Sequence, residues 1–264
     1  MYEFDYSRAT SLSDAASRLG SDEDARLVAG GMTLLPTLKL RLAKPTQLID
    51  LADLAELKGI SEEGDAVVIG AMTRHADVHR SDIVKRAIPA LAAMAGMIGD
   101  PAVRNRGTIG GSIANNDPAA DYPAAVVALN ATVRTNRREI AADDFFTGLF
   151  ETALEPGEIV TAVRFPKVAQ ANYQKFRNPA SRYAIVGVFV AKTPSGVRVA
   201  VTGAGPCVFR ATAMETALAG NFSPDAIKDI QIPADGLNSD IHASAEYRAH
   251  LVNVMARRAV ASCA

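Results

Sequence analysis

Two glycine pairs constrain this chain more tightly than any other feature. They are Gly30-Gly31, in Ala29-Gly30-Gly31-Met32-Thr33-Leu34-Leu35, and Gly110-Gly111, in Thr108-Ile109-Gly110-Gly111-Ser112. Each follows a segment that reads as extended. Adjacent glycines let the backbone turn sharply, approach a ligand without a Cβ in the way, and aim consecutive N–H groups at it. A helix beginning just after such a turn adds favourable charge for an anion. Neither pair has the spacing of a Walker A loop or of G-x-G-x-x-G, so P-loop and Rossmann readings fail. A tight turn accounts for either pair alone. Two pairs with flanking hydroxyls in one region point to a dinucleotide-like ligand.

The chain around them reads as a succession of short elements. Tyr2 to Tyr6 is a strand or turn, followed by a helix capped by Ser11 or Ser13 and stopped by Gly20. Ala25 to Ala29, Gln47 to Leu51 and Ala66 to Gly70 read as strands, and Leu34 to Leu42 has helical spacing. A helical Ala/Leu/Met pattern covers 82 to 98. The stretch Asp100 to Pro123 is rich in Gly, Asn, Asp and Pro, yet carries Ile109 and Ile113. It reads as a compact functional loop, not a solvated linker. Asp121 to Leu129 begins a helix or buried turn, and Thr132 to Thr135 is strand-like.

A boundary falls near 167 to 172, after the strand Ile159 to Phe165. Beyond it Tyr173 to Phe176, Ala184 to Lys192 and Val197 to Thr202 read as strands, with Pro194-Ser195-Gly196 turning between the last two. Ala245 to Ala261 closes the chain as a helix. The expected class is α+β, with a domain over 1–168 and a smaller α+β domain over 169–264. At 264 residues the chain is long enough for both.

Charge and composition exclude several functions. A formal net charge of -1 gives no basic excess for nucleic acid or an anionic membrane. The N-terminus mixes acids with bases and lacks an apolar signal core, and no apolar run approaches the ~18 residues of a membrane span. Cys207 and Cys263 are too few for a disulfide framework, so a reducing cytoplasm is the expected compartment. His75 and His79 are four apart, but no third ligand of recognisable spacing accompanies them. These two, with His242 and His250, read as solvated side chains, not a metal site. No Gly-x-Ser-x-Gly elbow is present and Cys207 has no evident partner, so no catalytic residue is assigned. Asp121, ten residues after Gly111, has two readings: an acceptor for a ribose hydroxyl or adenine amine, or a helix N-cap.

Longer motifs then narrow the reading. They are Val28-Ala29-Gly30-Gly31-Met32-Thr33-Leu34-Leu35-Pro36, followed by Lys39, and the run from Asp100 through Gly110-Gly111 to Ala114. Pro118-Ala119-Ala120-Asp121-Tyr122-Pro123, Pro156-Gly157-Glu158-Ile159-Val160, Tyr173-Gln174-Lys175-Phe176 and Ala245-Glu246-Tyr247-Arg248 continue the series. Together these resemble the FAD-binding medium subunit of the xanthine dehydrogenase and carbon monoxide dehydrogenase family, in the family's order and over nearly the whole chain.

The resemblance implies an FAD-binding domain of the vanillyl-alcohol-oxidase (PCMH) type, then a C-terminal domain of the CO-dehydrogenase flavoprotein type. Carried over by position, Ala29, Gly30, Gly31, Met32, Thr33 and Leu34 wrap the FAD pyrophosphate, as do Thr108, Ile109, Gly110, Gly111 and Ser112. Ile98 and Gly99 line the cofactor, and Asp121 holds the adenosine end. Ile159 and Val160 offer backbone contacts, Lys175 lies near the flavin, and Tyr183 approaches the isoalloxazine face. Met32-Thr33 replaces a more polar pair common in relatives, and Ser112 stands where many carry asparagine. Met32 cannot anchor a flavin covalently, so non-covalent FAD is expected.

The implied function is electron transfer within a molybdenum hydroxylase. A small iron–sulfur subunit and a large molybdopterin subunit carry the iron–sulfur clusters and the molybdenum cofactor, in a dimer of heterotrimers. FAD passes the electrons to NAD, oxygen or a quinone-linked carrier. The alternatives are a stand-alone flavin oxidase acting on a small alcohol or amine, and a nucleotide-binding scaffold without activity.

Overall fold

The computed structural model describes residues 1–263. A three-stranded parallel sheet comes first. Gln47–Asp50 is its centre, flanked by Asp5–Arg8 and Arg26–Val28. Parallel neighbours require crossovers, and helices Leu12–Ser21 and Leu34–Lys39 supply them. Ser11 is the cap of the first helix, its hydroxyl accepting from the Asp14 N–H at 3.0 Å. Gly20 does not stop that helix, which runs on to Ser21. Its bare face lies against Gly157, so packing carries the helix past the residue that local propensity would end it on.

The second sheet has five antiparallel strands in the order Ile60–Glu63, Ala66–Gly70, Val160–Pro166, Thr132–Thr135, Glu139–Ala141. Between its second and fourth strands the chain makes a series of short helices. The expected 82–98 helix divides into Asp82–Ala87 and Pro89–Gly96. Pro89 has no N–H to continue the first helix, and its fixed φ suits the first turn of the next. The Asp100 to Pro123 segment also contains helices, Pro101–Arg104 and Ile109–Asn115, capped by the side chains of Asp100 and Thr108.

The third sheet is an antiparallel meander, Ala171–Arg177, Ala184–Thr193, Gly196–Thr202 and Phe209–Arg210. Both faces are covered, and the strand period of two shows it. Val186, Val188 and Val190 face a core shared with helices Thr212–Gly220 and Ala245–Ala261. Phe189 and Ala191 face the other way, into the core that holds helices Pro89–Gly96 and Tyr122–Ala128. That second core also contains Val133 and Val163 of the five-stranded sheet, so one apolar mass joins the two halves of the chain. The helix Thr212–Gly220 and the hairpin Phe146–Gly148/Glu151–Thr152 had no forecast in the sequence. No helix among the described residues is long and apolar enough to cross a membrane.

Candidate functional site

A cleft of about 570 Å³ runs between the end of strand Arg26–Val28, the start of helix Ile109–Asn115 and the segment Ser181–Tyr183. Both glycine pairs line it. Ala29, Gly30, Gly31, Met32, Thr33 and Leu34 form one wall, and Thr108, Gly110, Gly111 and Ser112 another. Ile98, Gly99, Asp121, Ile159, Val160 and Tyr183 line it as well. Two expected contacts do not. Ile109 is fully buried, because as the first residue of its helix it faces the apolar core. Lys175 lies behind Asp121 with a side chain only 3% exposed.

The two pairs are built differently. Gly30 is held against the chain ahead of the second pair: a Cβ there would lie 2.1 Å from the Arg106 carbonyl oxygen. Gly31 has φ of +71°, the left-handed region that glycine enters without cost. Among the described residues, the amides of Gly30, Gly31, Met32, Thr33 and Leu34 find no protein acceptor. The second pair opens a helix and is not a loop. Its amides are committed: Ile109 N–H to the Thr73 carbonyl at 3.1 Å, and Gly110 N–H to that of Ala71 at 2.8 Å. Gly111 N–H donates to the Thr108 hydroxyl at 3.2 Å, and Ser112 N–H to the Thr108 carbonyl at 3.0 Å. Of the two pairs expected to turn N–H groups to a ligand, the second has its amides already committed within the protein, and only the first leaves them free. What the second offers is a bare wall at Gly111, where a Cβ would reach 3.0 Å from Thr108 Oγ1 and 3.6 Å from the Ala29 Cβ.

Asp121 is not the helix cap that one of its two sequence readings made it. It occupies the position before helix Tyr122–Ala128 but makes no capping bond. Its carboxylate accepts from the Tyr173 hydroxyl at 2.5 Å and from Lys175 Nζ at 2.8 Å, and the residue is 5% exposed. Burial pushes the carboxyl upward, while Lys175 and Tyr173 pull against it. Ala184 N–H donates to the Ala119 carbonyl at 3.4 Å, which brings the segment holding Tyr183 to the one holding Asp121, and both residues line the cleft.

His75 was read as solvated; it is 4% exposed and lines the cleft. Desolvation depresses it to about 4, with Arg104 adding to the effect, so the imidazole is neutral. Its ring lies 5.4 Å from that of Tyr122 and against Gly107, where a Cβ would come within 2.5 Å of Nε2. Glu158 also lines the cleft. Hydrogen bonding by Arg138 leads the effects that hold it down at about 2, with Thr135 and the Glu155 N–H assisting. Leu51 and Met72 were missed as well, and their one sequence signal was a position just beyond the C-terminal end of a strand. Among the described residues no cluster of His, Cys, Asp or Glu is placed to hold a metal.

The architecture has known counterparts. A family model described as "FAD binding domain in molybdopterin dehydrogenase" matches residues 2–168, and one described as "CO dehydrogenase flavoprotein C-terminal domain" matches 171–263. The carbon monoxide dehydrogenase medium chain of Hydrogenophaga pseudoflava is 38% identical, over 97% of this chain and 96% of its own. The nicotine 6-hydroxylase medium subunit of Paenarthrobacter nicotinovorans is 37% identical, over 97% and 95%. A solved structure of Hydrogenophaga pseudoflava carbon monoxide dehydrogenase, lacking the Mo-pyranopterin moiety of the molybdenum cofactor, matches with a TM-score of 0.91. It is 39% identical and covers 100% of this chain and 99% of its own. Quinoline 2-oxidoreductase from Pseudomonas putida 86 matches at 0.89, with 29% identity over 99% and 97%. With two family models covering nearly its whole length, the chain belongs to the FAD-binding medium subunits of the carbon monoxide dehydrogenase and xanthine dehydrogenase family.

Proposed function

We propose that this subunit holds FAD non-covalently in the cleft and relays electrons from an iron–sulfur subunit to an external acceptor. The observation that carries the reading is the meeting of both glycine pairs in one cleft. The residues fit the cofactor. Unpartnered amides from Gly30 to Leu34 suit the pyrophosphate, and the bare wall at Gly111 lets it approach. Ser112 adds a hydroxyl, while Ile159 and Val160 line the cleft, Ile159 in one apolar cluster with Leu27 and Leu51. Tyr183 and Ile98 suit the face of the isoalloxazine, with Asp121 at that same end. Neither cysteine lines the cleft, in keeping with non-covalent binding, and a reducing cytoplasm is the compartment that belongs to this reading. Bound FAD supplies the redox chemistry, and the chain supplies position, exclusion of water and electrostatics.

Partners of two kinds complete the reading: a small iron–sulfur subunit and a large molybdopterin subunit, in a dimer of heterotrimers. An iron–sulfur cluster takes about four thiolates, whereas this chain has two cysteines. Electrons then reach it from a neighbour and leave to NAD, oxygen or a quinone-linked carrier. The domain division at 1–168 and 169–264 belongs to the same proposal, supported by the separate sheet that begins at Ala171. The test is to purify the chain alone, load it with FAD, and screen small alcohols, aldehydes and N-heterocycles under air. A flavin spectrum without turnover is expected. Robust turnover of any of them would promote the stand-alone oxidase instead.

A further inference from the structure

Behind the Tyr183 end of the cleft lies a buried cluster that joins the two halves of the chain. Asp121, before helix Tyr122–Ala128, receives bonds from two residues of strand Ala171–Arg177: Tyr173 on one carboxylate oxygen and Lys175 on the other. Strand alternation places Tyr173 and Lys175 on one face, which is why both reach the same carboxylate. The two charged side chains are 4% and 3% exposed, and Lys175 Nζ also lies 3.4 Å from the Met97 carbonyl. Only the carboxylate side of the pair reaches the cleft wall.

We propose that Lys175 is a positioning residue acting through Asp121, and that their paired charges set the reduction potential of FAD bound at this end. The inference rests on the proposed FAD reading. A buried ion pair presents little net charge to its neighbour, whereas breaking it leaves an uncompensated charge in a medium of low dielectric. Reduction of bound FAD by a dye couple brings two electrons to the flavin, with protons from solvent. A nearby negative charge opposes that gain of electrons and a nearby positive charge favours it. Removing one partner or the other should therefore move the potential in opposite directions. Tyr173 fixes the geometry and carries no charge of its own in the pair.

The experiment measures the midpoint potential of bound FAD, by spectroelectrochemical titration, in the purified FAD-loaded chain. Lys175→Met leaves Asp121 alone and should lower the potential in titrations at high pH, where that buried carboxyl is ionised. Asp121→Asn leaves Lys175 alone and should raise it in titrations at low pH, where the buried amine keeps its proton. A shift of tenfold in the reduction equilibrium is expected each way, about 30 mV for a two-electron couple. The double variant and Lys175→Arg should both lie near the parent value. Shifts of the same sign, potentials unchanged from the parent, or loss of FAD from both single variants would overturn the proposal. Absence of FAD from the parent chain itself would instead overturn the FAD reading on which it rests.

Discussion

The two glycine pairs are the same dipeptide facing the same cleft, yet they work by different physics. Gly30-Gly31 sits at a strand-to-helix turn whose amides are left without partners. Gly110-Gly111 opens a helix whose amides are all committed to protein acceptors. The first pair offers donors and the second offers an absence of side chain. They also share a division of labour. In each pair the first glycine permits chain-to-chain contact: Gly30 against the Arg106 carbonyl, and Gly110 against Ala71, where a Cβ would lie 2.5 Å from the Ala71 Cβ. The second glycines differ: Gly31 is called for by its φ of +71°, and Gly111 leaves its wall of the cleft bare.

That division separates stability from binding, and the largest expected effect tests it. Gly30→Val and Gly110→Val drive a side chain into backbone or a packed methyl and should each cost about 3 kcal/mol or more. Gly111→Val should cost far less, because its Cβ meets only the Thr108 hydroxyl and the Ala29 methyl. It should nevertheless purify without FAD. Urea unfolding and the flavin-to-protein absorbance ratio read the two effects apart. A Gly111→Val chain with full flavin occupancy would break the comparison.

A smaller effect sharpens it at His75, which packs on Gly107 just ahead of the second pair. The folded chain keeps this imidazole neutral down to about pH 4, while an unfolded one takes up a proton below about 6.5. The unfolded state then binds more protons between those values, so stability falls as pH drops through the window and levels off below it. From pH 7 to 4.5 the loss attributable to His75 should be roughly 2–3 kcal/mol. Chemical unfolding of the parent and of His75→Gln at both pH values measures it. An identical pH dependence in the two would show that burial of this ring carries no linkage.

The smallest effect concerns Thr108, whose hydroxyl occupies the Gly111 amide. Thr108→Ala should cost about 1 kcal/mol as a lost N-cap. It would also free one amide on the second wall and make that wall more like the first. Thermal unfolding together with an FAD titration gives both readouts. Unchanged stability would mean that the cap bond at 3.2 Å contributes nothing.

Much of the fold was legible because its signals are local. The final helix spans Ala245–Ala261, as its periodic Leu251, Met255 and Ala259 indicated. The meander strands followed from β-branched runs punctuated by Pro194-Ser195-Gly196, with Gly196 at a φ of +124°. Pro89 was visible too, but helical spacing on both sides of it concealed the break. Helix Thr212–Gly220 was missed because its alanines and threonines make a weak pattern, and its face is fixed by tertiary contacts, the core it shares with Val199 and Val201 and the bonds of Glu215 to the Val199 N–H and Arg210. In the site, the glycines were legible because few other residues tolerate such close approach.

The sequence by itself determined the α+β class, the two glycine pairs, the shortage of thiolates and, through its motifs, the family. Those depend on residue identity and on spacing within a few turns of chain. The tertiary structure decided what no local pattern encodes. It committed the amides of Ile109 and Gly110 to acceptors on another segment, buried His75, and placed Asp121 against Tyr173 and Lys175 more than fifty residues away. The physical reason is common to all three. A hydrogen bond or a desolvated charge is fixed by which segments meet in space, and that meeting is set by the cores joining the sheets.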